Sequence, residues 1–182
     1  MDGREIEGYL QELGEELVQR GFTRPLRVLL VGGVYMLLVA QSRQATEDID
    51  IMLLDLPDTT HKTPETKAFQ AAVNAIARRH KMKRHWLNDD VAYFIRDMCP
   101  NPEPTLWRTF GILDIYVPAS ACMLALKLMT YRPKDEPDIV ALLQTLQVTT
   151  REQAQAILDR YIPDPAYQEH YMVSDTLDDL FD

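Results

Sequence analysis

Apolar and polar residues recur along the chain with two different periods, which predict helices and strands in turn. Residues 4–20 carry apolar side chains at helical spacing, namely Ile6, Leu10, Leu13 and Leu17. Gly21 follows as a residue that favours the end of a helix. Residues 26–31 are an apolar run beyond Pro25 and predict a buried first strand.

The second strand, about residues 48–54, is predicted to have two faces of different chemistry. Because residues i and i+2 of a strand point to the same side, Asp48 and Asp50 share one face. The other face is apolar and carries Ile49, Ile51 and Leu53. Two neighbouring carboxylates resist joint ionisation unless a cation lies between them. The pattern therefore predicts a divalent-metal site, and its hard oxygen ligands suit Mg²⁺ or Mn²⁺.

A glycine pair, Gly32 and Gly33, ends the first strand. Glycine lets the backbone turn sharply and brings bare N–H groups close to a ligand. An apolar segment at 34–41 predicts a short buried helix after the turn, and a helix that begins there favours anions such as phosphate. A phosphate-binding turn near a carboxylate pair indicates nucleotide chemistry.

The remaining pattern predicts helices and strands that alternate and then end in helices. In order these are a helix at about 64–80, a strand at 91–95, a proline-rich loop at 99–105, a strand at 112–117, and helices at about 120–131, 136–146 and from 150. Asp114 lies in a strongly apolar strand and needs a partner, either a metal or a buried arginine. The predicted class is α/β or α+β, a small mixed sheet with flanking helices and a C-terminal helical part.

Length and composition limit the organisation of the chain. Its 182 residues suit one domain, divided into a core at 1–120, a helical part at 121–163 and an acidic tail at 164–182. Residues 175–182 of this tail are expected to be disordered, with docking to a partner as the alternative. No apolar run reaches the length of about 18 residues that predicts a membrane helix. The N-terminus lacks the features of a signal peptide, so a cytoplasmic protein with reduced Cys99 and Cys122 is expected.

The net charge of −9 argues against broad, non-specific binding to nucleic acid. Charge is uneven, however, because residues 78–86 form a dense basic run that ends in Trp86. This run is either the solvated end of a helix, where cations complement the helix dipole, or a surface that binds a polyanion.

Several of these features occur in an order that resembles a known superfamily. The features are Gly32-Gly33, then Arg43 and Thr46, then Asp48-Ile49-Asp50, and last the strand with Asp114. They resemble the nucleotidyltransferase superfamily that includes DNA polymerase beta. They are most similar to minimal bacterial nucleotidyltransferases of the toxin class, the AbiEii-like toxins of toxin–antitoxin systems, and related uncharacterised families.

A further segment, which contains Lys127, Arg132, Asp135 and Asp138, is similar to the lysine segment of those toxins. The whole resemblance covers roughly residues 25–145. From the residues alone, Lys127 is either a solvent-facing lysine or a partner of the triphosphate or the metal. Arg132, Asp135 and Asp138 are expected to be a structural cluster of salt bridges, and Arg43 either contacts phosphate or lies on the surface.

The resemblance implies an enzyme with magnesium or manganese as cofactor. It would transfer a nucleoside monophosphate from a nucleoside triphosphate to an acceptor hydroxyl, on an RNA end or on a protein. Asp48, Asp50 and Asp114 would hold the metal, while phosphate would be bound by Gly32, Gly33, Arg43 and Lys127. The setting implied is a toxin with a possible antitoxin partner. The alternative is a catalytically silent member of the fold that acts as a binding or regulatory protein.

Overall fold

A computed structural model describes residues 1–181 and contains a mixed sheet with helices before, between and after its strands. The strands are β1 Leu26–Val31, β2 Ile49–Leu53, β3 Leu87–Asn88, β4 Thr105–Phe110 and β5 Leu113–Val117. The helices are α1 Gly3–Gln19, α2 Gly32–Leu38, α3 Pro64–Arg79, α4 Ala92–Met98, α5 Ser120–Met129, α6 Glu136–Leu146, α7 Arg151–Tyr161, α8 Pro165–His170 and α9 Val173–Phe181. A 3₁₀ turn at Pro133–Asp135 precedes α6. The predicted α/β class with a small mixed sheet is confirmed.

The five strands form one sheet in the order β3-β2-β1-β5-β4. The central strand β1 is antiparallel to β2 and parallel to β5. The short β3 extends the sheet in parallel beyond β2, and β4 closes the other edge antiparallel to β5. The glycine turn that follows β1 therefore lies at the same end of the sheet as the beginning of β2.

The chain divides into two compact units. The first contains residues 1–93 and 105–117, which include the whole sheet. The second groups residues 94–104 with the residues from 118 onward, and the boundary at 93/94 falls within α4. The division predicted from the sequence, with a core at 1–120, stays a prediction about domains.

In the first unit, the predicted stripe of α1 is buried, and Ile6, Leu10, Leu13 and Leu17 are at most 1% exposed. The helix packs against α3, β4 and β5. It approaches the sheet very closely at Gly14, where an added Cβ would lie 2.0 Å from the carbonyl oxygen of Phe110. Only glycine fits there, because any side chain would displace the β4–β5 turn from the helix.

The start signals of two helices act as predicted. The Thr63 side chain accepts a hydrogen bond from the backbone N–H of Thr66, and Pro64 is the first residue of α3. At α7, Thr150 and Gln153 form a capping box. These helices begin where the sequence predicts because the signals act within one turn of the chain.

The predicted strand at 91–95 is wrong, since residues 92–98 form α4. The apolar run there predicts a strand, but its buried members are Ala92, Ile95 and Met98, which are three residues apart. That spacing is helical. The strand that follows the proline-rich loop, β4, was not predicted, because most of its residues are exposed and no apolar face marks it.

The expectation of a disordered acidic tail at 175–182 is also wrong for the described residues 175–181, which belong to α9. Residues 165–170 and 173–181 are helical, and Val173 and Leu177 are almost completely buried. Arg151 fastens α9 through its contacts with Asp178, at 2.5 Å, and Ser174, at 2.8 Å. Burial of these two apolar side chains, four residues apart, and the contacts of Arg151 account for the packing of α9. Asp182 lies outside the described residues.

The second unit is built around α5, whose residues 122–129 are all buried. It packs against α6, α7 and α9, and α8 packs against α9. Residues 94–104 are held to this unit by the ion pair of Glu103 with Arg160 and by an edge-to-face contact of Phe94 with Tyr171. No helix within residues 1–181 has the length and apolar character needed to cross a membrane.

Candidate functional site

The carboxyl end of β1 carries the predicted glycine turn, and the carboxylate of Asp50 lies directly against it. Gly32 has a left-handed backbone, with φ of +67°. An added Cβ at Gly32 would lie 2.5 Å from Oδ2 of Asp50. The strand pairing explains this approach, because Asp50 is the partner of Val31, the residue before the turn. The absence of a side chain at Gly32 is therefore what leaves room for the carboxylate.

The second glycine of the turn faces the polar segment that leads into β2. An added Cβ at Gly33 would lie 3.0 Å from Oγ1 of Thr46 and 3.2 Å from Nη1 of Arg43. The guanidinium of Arg43, half-buried, and the hydroxyl of Thr46 thus border the glycine turn. The structure brings Gly32, Gly33, Arg43, Thr46 and Asp50 together as one cluster, which we call the glycine–aspartate site.

The segment that carries Arg43 and Thr46 is held in place by hydrogen bonds to the N-terminal residue. The ammonium of Met1 donates to the carbonyl oxygen of Thr46 at 2.7 Å, and the backbone N–H of Thr46 donates to the carbonyl of Met1 at 3.0 Å. The Thr46 hydroxyl donates to the carbonyl of Asp48 at 3.0 Å. Asp48 itself is exposed and lies immediately before β2, whereas Asp50 within the strand is half-buried.

The sequence gives no sign of one further polar residue at this site. The pairing of β2 with β3 places Asn88 beside Asp50, so that Val31, Asp50 and Asn88 form a row across three strands. Paired residues of neighbouring strands point to the same face of a sheet. β3 has two residues and no periodic pattern, so only the sheet pairing identifies Asn88.

A small cavity of about 200 Å³ adjoins β3 within the first unit. Asn88, Asp89, Arg84 and His85 contribute to its lining. Asp89 is buried and accepts two hydrogen bonds from Thr59, from the backbone N–H at 2.6 Å and from the hydroxyl at 2.5 Å. Lys62 and Asp90 also contribute to the lining, so that side chains of both charges border the cavity.

The prediction that Asp114 joins Asp48 and Asp50 at one metal is wrong. In the sheet, Asp114 pairs with Arg27 at the start of β1, whereas Asp50 pairs with Val31 at its end. Four residues of strand separate the two levels, which is about 13 Å at 3.3 Å per residue. Asp114 is half-buried and accepts a hydrogen bond from the hydroxyl of Thr109 at 2.7 Å. The sequence could not show this, because it contains the order of the strands along the chain but not their register.

Asp114 instead lines a cavity of about 900 Å³ at the opposite end of the sheet. Arg20, Arg24 and Arg27 also line this cavity. Arg27 is bound by Asp55, whose Oδ1 is 2.9 Å from Nε and 2.5 Å from Nη2. The hydrogen bond from this guanidinium lowers the pKa of Asp55 below its ordinary value, and the carboxylate raises the pKa of Arg27.

Lys127 belongs to the second unit and is buried, so that the solvent-facing alternative is wrong. Its Nζ lies 2.9 Å from Oδ1 of Asp135 and 2.7 Å from Oδ2 of Asp138. Arg132 adds a contact of 2.5 Å to the second oxygen of Asp135. The predicted structural cluster of Arg132, Asp135 and Asp138 is confirmed, and Lys127 is its centre. A role of Lys127 in binding phosphate stays a prediction.

The basic run at 78–86 is divided between paired and exposed residues. Arg79 and His80 both contact Glu12 of α1, at 2.6 Å and 2.8 Å. Trp86 is buried and donates its indole N–H to the carbonyl of Val73 at 3.1 Å. Arg78, Lys81 and Arg84 are exposed. Part of the basic run therefore joins the end of α3 to α1 through contacts with Glu12.

Asp50 of the glycine–aspartate site and the exposed Asp48, two residues before it, offer carboxylate oxygens, which are ligands that suit a hard divalent cation. Within residues 1–181, no three His, Cys, Asp or Glu side chains are grouped so that they could hold a metal. A cation held by Asp48 and Asp50 would thus need further ligands from substrate phosphate or water, as is common for Mg²⁺. No model of a protein family, no curated protein and no solved structure matches the chain.

Proposed function

We propose that the protein transfers a nucleoside monophosphate from a nucleoside triphosphate to an acceptor hydroxyl, with Mg²⁺ or Mn²⁺ bound at Asp48 and Asp50. The observation that carries the proposal is the contact between Gly32 and Asp50. This contact puts a carboxylate beside a turn that has no side chains. Phosphate oxygens can approach the backbone of such a turn, and the carboxylate can bind the same cation as those oxygens. Arg43 and Thr46 at Gly33 add a positive charge and a hydroxyl at the same place.

In this proposal, some residues of the site bind the triphosphate and others hold the cation that compensates its charge. The backbone of Gly32 and Gly33 and the guanidinium of Arg43 would hold the triphosphate, while Asp48 and Asp50 would hold the cation. When bound, the divalent cation supplies neutralisation of the charge that develops on the transferred phosphoryl group. Asp114 has no part in this proposal because it lies at the other end of β1.

The test is incubation of the full chain with each radiolabelled nucleoside triphosphate and Mg²⁺ or Mn²⁺, with total RNA and cell lysate as acceptors. Asp50→Asn and Asp48→Asn should lower label transfer on the order of a thousandfold, because several kcal/mol of charge stabilisation are lost. Asp114→Asn is the matched control and should keep most of the activity. Equal transfer by the wild type and Asp50→Asn would contradict the proposal. The acceptor that becomes labelled identifies the acceptor class.

The place of Asp114 favours a second candidate function, a catalytically silent protein that binds a nucleotide or regulates a partner. Asp114 is about 13 Å away along the strand, so that, of the three carboxylates predicted for the metal, Asp48 and Asp50 remain on the side of the glycine turn. Calorimetric titration with nucleoside triphosphate and Mn²⁺ separates the candidates. Metal-dependent binding together with label transfer supports the enzyme, and binding without any transfer supports the silent protein.

From the resemblance to toxins of toxin–antitoxin systems, we further propose that the activity arrests the growth of the host cell. The test is induced expression in a bacterial host of the wild type and of Asp50→Asn at matched protein levels. Growth arrest by the wild type alone supports a toxin whose effect depends on the site. Normal growth with both proteins would contradict the toxin setting without affecting the label-transfer assay.

A further inference from the structure

Two cysteine side chains lie side by side in the second unit. The Sγ atoms of Cys99 and Cys122 are 2.9 Å apart, although the residues are 23 positions apart in the sequence. This is closer than the roughly 3.5–4.0 Å at which non-bonded carbon atoms ordinarily meet, although sulfur is the larger atom. Both side chains are buried, with exposed fractions of 1% and 0%, and both are free thiols.

Backbone hydrogen bonds hold the two sulfur atoms in this position. Cys99 follows the last residue of α4, and its N–H continues that helix by donating to the carbonyl of Ile95 at 2.9 Å. Cys122 lies in the first turn of α5. Between them, the N–H of Ala119 donates to the carbonyl of Pro102 at 3.0 Å, which ties the proline-rich loop to the start of α5. The approach of the thiols is therefore set by the backbone and not only by side-chain rotamers.

The two thiols differ in acidity in a way that suits them to act in sequence. The hydrogen bond with Cys122 lowers the pKa of Cys99, whereas the same contact and burial raise the pKa of Cys122. The thiolate is the reactive form of cysteine. The lowered pKa of Cys99 supports it as the sulfur that reacts first, and the 2.9 Å between the two Sγ atoms puts Cys122 in position to resolve the product.

We propose that Cys99 and Cys122 form an oxidation site that closes to an intramolecular disulfide when the protein meets a peroxide. The Cys99 thiolate attacks one oxygen of hydrogen peroxide, the O–O bond breaks, and water leaves after protonation. The sulfur of Cys122 then attacks the sulfenic sulfur of Cys99, the S–O bond breaks and a second water leaves. Two electrons pass from the sulfurs to the peroxide, and the two thiol protons end in the two waters.

The test uses the full chain, reduced and then treated with hydrogen peroxide, with every remaining thiol alkylated in denaturant before mass spectrometry. The expected product has lost two hydrogen atoms, takes up no alkylating reagent and returns to two alkylated cysteines after treatment with a dithiol. Peptide mapping should place the bond between the peptides of Cys99 and Cys122. The bond closes a loop, so the thermal midpoint should rise by about 5–10 °C in the oxidised form.

The variants Cys99→Ser and Cys122→Ser should show no such rise after the same treatment, and each should keep one thiol that alkylates or gains oxygen. The mass spectra, peptide map and thermal midpoint of the wild type do not depend on the stability of these variants. Two alkylated cysteines after peroxide treatment of the wild type would overturn the proposal. The proposal would also be overturned if each sulfur gained oxygen separately, or if disulfides formed only between molecules. The inference is independent of the proposed nucleotidyl transfer, because it concerns other residues and another unit.

Discussion

At Gly32, a side chain would disturb both the backbone conformation and the geometry of the site. Its φ of +67° is strained for any residue with a Cβ, and that Cβ would meet Oδ2 of Asp50 at 2.5 Å. We expect Gly32→Ala to lower the free energy of unfolding by about 1–3 kcal/mol. The same change should also reduce metal-dependent binding of nucleoside triphosphate. Urea unfolding and calorimetry measure the two effects.

Gly8 is the matched control for that change. It is an exposed helical glycine of α1, and an added Cβ there meets nothing within 4 Å. Gly8→Ala should raise the free energy of unfolding by roughly 0.5–1 kcal/mol, because alanine loses less backbone entropy in a helix. If Gly32→Ala were as harmless as Gly8→Ala, the close approach of Asp50 to the turn would be refuted.

Lys127 is the residue whose loss should destabilise the second unit most through charge. Lys127→Met leaves Asp135 and Asp138 buried without their shared cation, and breaking a buried ion pair costs about 3–5 kcal/mol. Lys134→Met is the control, because Lys134 is exposed and its loss should stay within about 0.5 kcal/mol. Chemical unfolding at pH 7 measures both.

The stability that this cluster contributes should depend on pH, because Asp135 can be protonated. Burial opposes ionisation of Asp135, but hydrogen bonds from Lys127 and Arg132 outweigh it and lower the pKa below the ordinary 3.8. A lowered pKa in the folded state adds stability above pH 3.8 that is lost as the pH falls through the folded-state pKa.

In Lys127→Met the pKa of Asp135 should be higher than in the wild type, because burial remains while one of the two cations that lower this pKa, Lys127, is lost and only Arg132 is kept. The variant should therefore gain stability relative to the wild type as the pH is lowered from 7 to 4. Unfolding curves at several pH values check this. A constant difference between the two proteins would contradict the charge argument.

At the scale of elements, α9 shows how a short acidic helix is held by a few contacts. Leu177 is fully buried and lies on the side of α9 that packs against α5 and α7. We expect Leu177→Ala to cost about 2–4 kcal/mol in free energy of unfolding. If this segment were disordered, Leu177→Ala would not change the free energy of unfolding.

Asp179→Ala in the same helix is the comparison for Leu177→Ala. Asp179 is exposed, so its removal should change the free energy of unfolding by no more than about 0.5 kcal/mol. Hydrogen exchange of α9 should also quicken in Leu177→Ala and stay unchanged in Asp179→Ala. Equal exchange in both variants would mean that α9 is not docked through Leu177.

At the scale of the whole molecule, the net charge of −9 opposes contact with nucleic acid outside a local basic surface. If the acceptor is RNA, Arg84 is an exposed cation of the basic run that lines the cavity at β3. Arg84→Ala should then make binding of single-stranded RNA less dependent on salt, with the slope of log K against log salt smaller by about 0.7. Filter binding between low and high salt measures the slope.

Arg79→Ala serves as the control, because Glu12 and Glu16 already bind this guanidinium. Its loss should leave the slope nearly unchanged. RNA binding that does not respond to salt in the wild type would show that the basic run takes no part in binding an acceptor.

The sequence by itself determined the elements whose signals are local. Apolar spacing in α1, the cap at Thr63 and the capping box at Thr150 act over one or two turns, so helix positions could be predicted from neighbouring residues. The strand at 26–31 and the inward-facing Ile49, Ile51 and Leu53 were predicted for the same reason. The mixed α/β class follows from the order of these elements.

Only the tertiary structure decided which polar residues meet. Strand register placed Asn88 beside Asp50 and moved Asp114 to the other end of β1, although all three occur in strands. Helix packing buried Lys127 with two carboxylates and ordered α9 in the acidic C-terminal segment. Register and packing depend on contacts between distant parts of the chain, and a pattern of neighbouring residues contains no information about them. The glycine turn and Asp50 could be predicted as a pair because β1 and β2 are adjacent antiparallel strands, whose ends meet.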